Sequence, residues 1–296
     1  MMSEESPRRP LGRLLGAELF RLRASKGMRL IFAAFLLAAI VISIGNSVQV
    51  HNNLDMLSHM SQPGSSNLSL DQLDELADGK IEAGLADQAA QLYTSGQSVG
   101  WLIAGLIGIG LMGGEVSRGT SSITYLITPR RNAVVFSRVV TSLLIGLAMF
   151  SAATSVALMA GIWTMDSQGK AHYLTSGVAL SAILSNLMGY LSWGIFGVGL
   201  GALLHRQRIA VAAFLLLYLT GRPLRDAVFA MMGDSSSVGW IREALVLFPS
   251  IAADQMSSGY ANPGEPIMWT GTLVMAGYAF IFTLLGLWVV TRRDIA

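Results

Sequence analysis

The 296-residue chain has no cysteine. That excludes disulfides, thiolate metal ligands and cysteine nucleophiles, and it leaves the redox compartment open. Charge is also scarce. Asp, Glu, Lys and Arg make up 13% of residues, against roughly a quarter in ordinary soluble domains. Lysine occurs only as Lys26, Lys80 and Lys170, followed by Gly, Ile and Ala. None of the three can close the G-x-x-x-x-G-K-[ST] loop that cradles a triphosphate. There is no H-E-x-x-H helix motif either. No metal, cofactor or nucleic-acid partner is expected, and any ATP hydrolysis would belong to another chain.

What the sequence has in quantity is apolar surface: 52% hydrophobic residues and a mean hydropathy of +0.54. It reads as an all-α, polytopic membrane protein. Five charge-free windows, each of at least 25 residues, lie between Arg29 and Asp55, Asp87 and Glu115, Arg138 and Asp166, Lys170 and Arg206, and Glu265 and Arg292. A crossing helix needs roughly 20 apolar residues, so each window holds a span, expected at 30–50, 99–114, 139–165, 178–204 and 267–291. The run between Arg208 and Arg222 has only 13 residues. It is taken as a further span, 209–226, with Arg222 and Arg225 snorkelling to the far interface. Six transmembrane helices place both termini on one side. With the N-terminus inside, the inner segments 1–29, 115–138, 205–208 and 292–296 hold 15 Lys/Arg and 5 Asp/Glu, leaving 5 and 13 outside. Basic residues mark the cytoplasmic side. The expected location is the cell (inner or plasma) membrane, multi-pass, with cytoplasmic termini.

The segments between spans carry further patterns. Residues 1–29 mix seven Lys/Arg with leucines and do not read as a cleavable signal peptide. Within 11–29, Leu11, Leu15 and Leu22 fall near one helical face, interrupted by Glu18, as in an interfacial helix on the inner surface; a plain orientation anchor is the alternative. The outer loop, 51–98, contains an acidic helical stretch opened by Ser69 and Gln72 as a capping box. The outer segment 227–266 has two apolar pieces too short to cross, flanking a Gly-Asp-Ser-Ser-Ser turn, and is expected to re-enter the outer leaflet. Glycines crowd the second and fourth spans (Gly105, Gly108, Gly110, Gly113, Gly114; Gly194, Gly197, Gly199, Gly201). They favour close helix packing over a pathway lining.

Two motifs are weak. Gly96-Gln97-Ser98-Val99-Gly100 has the G-x-S-x-G spacing of a nucleophile elbow, which needs a preceding strand and a placed histidine. His51, Asp55 and His59 align at i, i+4 and i+8, a spacing compatible with zinc, but the stretch follows the first span and Pro63-Gly64 soon interrupts it, so a solvated face is the better reading.

The segment 115–138 is more specific. Glu115 ends the second apolar run. Arg118-Gly119-Thr120 follow, then a short helical piece from Ser121 to Thr128, capped by Thr120 or Ser121 and stopped by Pro129 before Arg130 and Arg131. A plain turn would be far shorter. These residues resemble the coupling segment of type-2 ABC transporter permeases: an acid closing the second span, a Gly-Thr turn, a short helix ending Leu126-Ile127-Thr128-Pro129, and Arg138 opening the next span. The resemblance extends to the N-terminal interfacial helix, the re-entrant segment and the Arg292-Arg293-Asp294 tail.

That resemblance implies a permease subunit of an ATP-binding-cassette exporter, not itself an enzyme. Its partners would be two copies of an ABC ATPase subunit, a second permease protomer (homo- or heterodimer) and the lipid bilayer. It implies that Glu115, Arg118, Gly119, Thr120, Leu126, Pro129, Arg130 and Arg131 seat a coupling helix on the ATPase, with Leu11, Leu15, Glu18 and Leu22 as a second contact. The apolar spans point to a hydrophobic or amphipathic cargo. A non-transporting membrane scaffold or immunity protein, and an intramembrane serine protease, are the alternatives. A secondary transporter is disfavoured, because the five spans placed in these windows contain no Asp, Glu, Lys, Arg or His.

Overall fold

A computed structural model describes residues 24–60, 85–117, 131–169, 173–204, 206–232, 239–257 and 268–292, with isolated positions at 12, 16 and 20. Among these residues the structure is helical, without strands. The elements are α1 (Lys26–Met60), α2 (Gln97–Ser117), α3 (Arg131–Ser167), α4 (Gly177–Leu204), α5 (Gln207–Leu219), α6 (Gly221–Met232), α7 (Gly239–Leu245), α8 (Pro249–Ser257) and α9 (Met268–Arg292). Proline placement explains much of this division. Within these helices proline occurs only as the third residue of α6 (Pro223) and the first of α8 (Pro249). There the missing N–H removes no intrahelical bond. The long apolar helices are free of it.

Five helical stretches are long and apolar enough to cross a membrane: Lys26–Asn52, Leu85–Gly113, Asn132–Ser167, Gly177–Leu204 and Thr270–Arg292. Their outward faces carry large apolar side chains, including Leu37 and Val41 on α1, Met159 and Trp163 on α3, and Leu273 and Phe280 on α9. In water such a surface would aggregate. In lipid it is the solvated surface, and the chain is a multi-pass membrane protein.

The centre of the bundle is α4, packed against α2, α3, α5, α8 and α9. Backbone contact replaces side-chain contact along its glycines. A Cβ on Gly108 of α2 would land on the Gly194 carbonyl, and one on Gly197 would land on the Gly105 carbonyl. On the opposite side of α4, a Cβ on Gly199 would come within 2.6 Å of the Phe282 backbone in α9. Above and below these crossings sit fully buried Trp101, Tyr190, Trp193, Phe196 and Phe214. The Trp193 ring meets those of Phe196, Phe214 and Tyr218 edge-on, with centroids 5.7, 5.5 and 4.9 Å away, an orientation that sets ring edges against ring faces. A smaller core of Val50, Leu85, Leu92, Tyr93, Met165 and Ala179 joins α1, the helical residues before α2, and α3 to α4.

Several boundaries differ from the sequence expectation. α1 continues beyond residue 50 to Met60, and residues 85–93 are helical, so much of the described part of 51–98 extends flanking helices. Between Tyr93 and α2 the chain turns through Gly96 at φ +78°, a left-handed conformation that glycine adopts without a Cβ penalty. Thr94 and Ser95 donate to the Ala90 and Leu92 carbonyls at 2.9 and 2.7 Å, satisfying acceptors that the broken helix would leave open. The expected span 209–226 is two helices, α5 and α6, separated at Thr220, whose hydroxyl and N–H both bond the Leu216 carbonyl. α5 is short: thirteen residues rise about 20 Å. It nonetheless follows α2 along its length, with Gln207 beside Gly113, Phe214 against Gly105 and Tyr218 at Ser98. The described part of 227–266 comprises the end of α6, then α7 and α8, with α8 burying Ile251, Ala252, Ala253 and Met256 against its neighbours.

Candidate functional site

Arg118, Gly119, Thr120, Leu126, Pro129 and Arg130 lie outside the described residues, as do Leu11, Leu15, Glu18 and Leu22. The flanks are described. α2 remains helical through Glu115 to Ser117, and α3 begins at Arg131. Thirteen residues, 118–130, therefore connect the ends of two helices that pack directly on one another. Arg138, which the sequence marks as the edge of the third span, lies two turns inside α3 and is 2% exposed. Its Nη1 donates to the Met112 sulfur at 2.9 Å, tying α3 to α2 just above the connection. The sequence hid this, because a charge-free window excludes any arginine by construction. Ionisable residues buried in spans are uncommon and tend to be functional. Beside this junction, Val135, Phe136 and Val139 of α3 and Thr283 and Leu287 of α9 line an apolar groove of about 420 Å³.

At the opposite end a cavity of about 210 Å³ lies where α2, α4, α5 and α8 converge. Trp101, Trp193 and Tyr218 form aromatic walls, Leu219 and Ala253 complete them, and Ser98, Ser250 and Asp254 supply polar atoms. Each wall is fixed in place. The Trp101 indole N–H donates to the side-chain oxygen and carbonyl of Asn186 at 3.1 and 3.2 Å. Tyr218 donates its hydroxyl to the Ser98 carbonyl. Asp254 has a 17% exposed side chain and faces Arg225 at 3.8 Å, while Arg225 also meets Asp226 at 3.3 Å. The buried Trp193 Nε1 and Ser250 Oγ have no hydrogen-bond partner among the described residues. Sequence reasoning singled out Ser98 only as part of a weak nucleophile-elbow pattern, and Arg225 as a snorkelling residue at the end of the fifth run. It missed the cavity, because its walls are scattered from residue 98 to 254 and only packing on α4 brings them together.

The weaker motifs resolve locally. Ser98 lies at the start of α2 after a helical turn, with no strand before it among the described residues, so the elbow geometry is lacking there. His51 Nδ1 is hydrogen-bonded to the Gln168 amide, and no metal-holding cluster occurs among the described residues. Arg225 pairs with Asp226 and Asp254. No protein-family model matches the chain, and no curated protein matches it.

Proposed function

We propose that this chain is the permease subunit of an ATP-binding-cassette transporter, forming the export pathway for a hydrophobic or amphipathic substrate and driven by a separate ATPase. The observation that carries the reading is the 118–130 connection. Two adjacent helices can be joined by a few residues, yet the sequence places thirteen there, with Thr120 and Ser121 as capping candidates, Pro129 as a stop and arginines at 118, 130 and 131. Above it Arg138 is buried against Met112, a contact that ties α2 to α3, and a push on the segment would act on both. Six passes with cytoplasmic termini, α5 and α6 making the fifth, an outer segment that re-enters the membrane, and residues 11–29 as a second ATPase contact complete the proposal. The excess of acids over bases in the segments assigned outside supports that orientation. ATP would act by binding one conformation of the complex better than the other. The lack of a Walker A lysine supports a division of labour between chains.

The test is copurification from native membranes through a tag on this chain. A Walker A ATPase should accompany it in equal amounts, with turnover that rises on association. Proline in place of Ile123 should leave the chain inserted but reduce both by roughly five- to a hundredfold, as expected for losing about 1–3 kcal/mol at an interface. Wild-type ATPase stimulation by the Ile123→Pro chain would refute the coupling role, and ATP hydrolysis by the purified chain alone would refute the division of labour.

A further inference from the structure

We infer that α1 is a dimer interface, pairing in parallel with α1 of a second copy of this chain along a heptad seam. α1 is the least buried of the five long spans, with 17% of its apolar stretch covered by the rest of the chain. Its inward face packs on α3 and α2, burying Phe35, Ala39, Ser43 and Ser47 at four-residue intervals. The outward face has a different period. Leu30, Leu37 and Ile44 recur every seven residues, and Ala34, Val41 and Val48 follow each of them by four. All six are exposed, the five larger ones by 56–70%. With Ile31 and Ile40 at their flanks they offer on the order of 700 Å² of apolar surface per copy, close to the roughly 800 Å² per partner of a standard stable interface.

Lipid would wet that surface whatever the order of its residues, since acyl tails are as apolar as leucine; helices associate within lipid through regular packing. The order here is that of a helix pair. Steps of four and three residues in alternation keep a seam facing its partner under a left-handed supercoil. Valine in one set of positions with leucine in the other favours two parallel strands. Parallel pairing is also what a membrane imposes on identical copies: inserted in one orientation, they carry α1 in one direction. A twofold axis along the membrane normal then sets each seam residue against its own counterpart. The permease reading expects a second protomer but neither locates the contact nor says that the two are identical. The seam does both, and it is read without the ATPase.

The absence of native cysteine allows a direct test on the full chain in its membrane. The single substitutions Leu37→Cys, Val41→Cys and Ile44→Cys should each oxidise to a disulfide-linked dimer. Ile40→Cys lies on the same helix beside the seam, and Met159→Cys and Leu273→Cys are more exposed than these seam positions on α3 and α9. All three should cross-link at least tenfold more slowly. Every position is on the outer surface, so none of the substitutions disturbs the core. In proteoliposomes, energy transfer between copies labelled in two colours should fall as lipid is added. Leu37→Ala combined with Ile44→Ala should shift that dilution curve at least tenfold, with membrane insertion and helical content unchanged. Cross-linking that is equal at all exposed positions, that favours α3 or α9, or that joins α1 to a different protein would overturn the inference, as would an unshifted curve for the double variant. The cross-link needs no ATPase, so a missing cross-link leaves the coupling reading standing, and a failed ATPase copurification leaves the seam standing.

Discussion

Glycine shows how much a residue's meaning depends on its neighbours. Gly108 and Gly110 are two positions apart on the same apolar helix, and composition treats them alike. Gly108 faces the α4 backbone, whereas Gly110 has nothing within 4 Å of where a Cβ would stand. Gly108→Val should therefore force α2 away from α4 and lower the detergent melting temperature, by the equivalent of about 1–3 kcal/mol for an overpacked contact. Gly110→Val should melt like the parent. Equal effects at the two positions would contradict the α2–α4 packing. That glycine-rich helices pack closely was legible from the sequence; which glycines make the contact was not, because helical phase relative to a partner is a tertiary property. Arg138 makes the complementary point. Its charge was legible and its burial was not, since a side chain at the edge of a hydrophobic window can turn inward as readily as outward.

At the scale of elements, the long apolar helices were readable because length and hydrophobicity suffice to specify them. Boundaries were harder. α1 runs ten residues past residue 50, the end expected from its apolar run, because a helix can continue through polar sequence, and 51–60 holds neither proline nor glycine. The fifth run was read as one helix. Its division at Thr220 follows from a threonine that back-bonds to Leu216 and a glycine that follows it, Gly221, where a Cβ would collide with Ser250. The pairing of α2 with α5 has a direct check, made easy by the absence of native cysteine. A Cβ on Gly113 would lie 3.2 Å from the Gln207 Cβ, close to the 3.5–4.5 Å span of a disulfide. The double substitution Gly113→Cys and Gln207→Cys should oxidise to an internal cross-link and become refractory to maleimide. Free labelling of both thiols after mild oxidation would show that the two helices do not pair in this register.

For the whole molecule, one dimension stands out. Its long helices each exceed the length needed to cross a hydrocarbon layer of roughly 30 Å, whereas α5 rises only about 20 Å from Gln207 to Leu219. Ile209, Leu216 and Leu219 are exposed along it, so in the proposed six-pass arrangement lipid meets a shorter apolar wall there than elsewhere on the perimeter. The membrane must accommodate that step, by thinning locally or by letting polar neighbours reach inward, at a fraction of a kcal/mol per ångström of hydrophobic mismatch. The protein would then impose a dent on its bilayer, and acyl-chain length would become a variable of its stability. In nanodiscs, lipids with 14-carbon chains should raise the melting temperature relative to 18-carbon chains, and lengthening α5 by one turn of leucines should reverse that preference. A chain that melts at the same temperature in both lipids would mean that α5 is shielded from them.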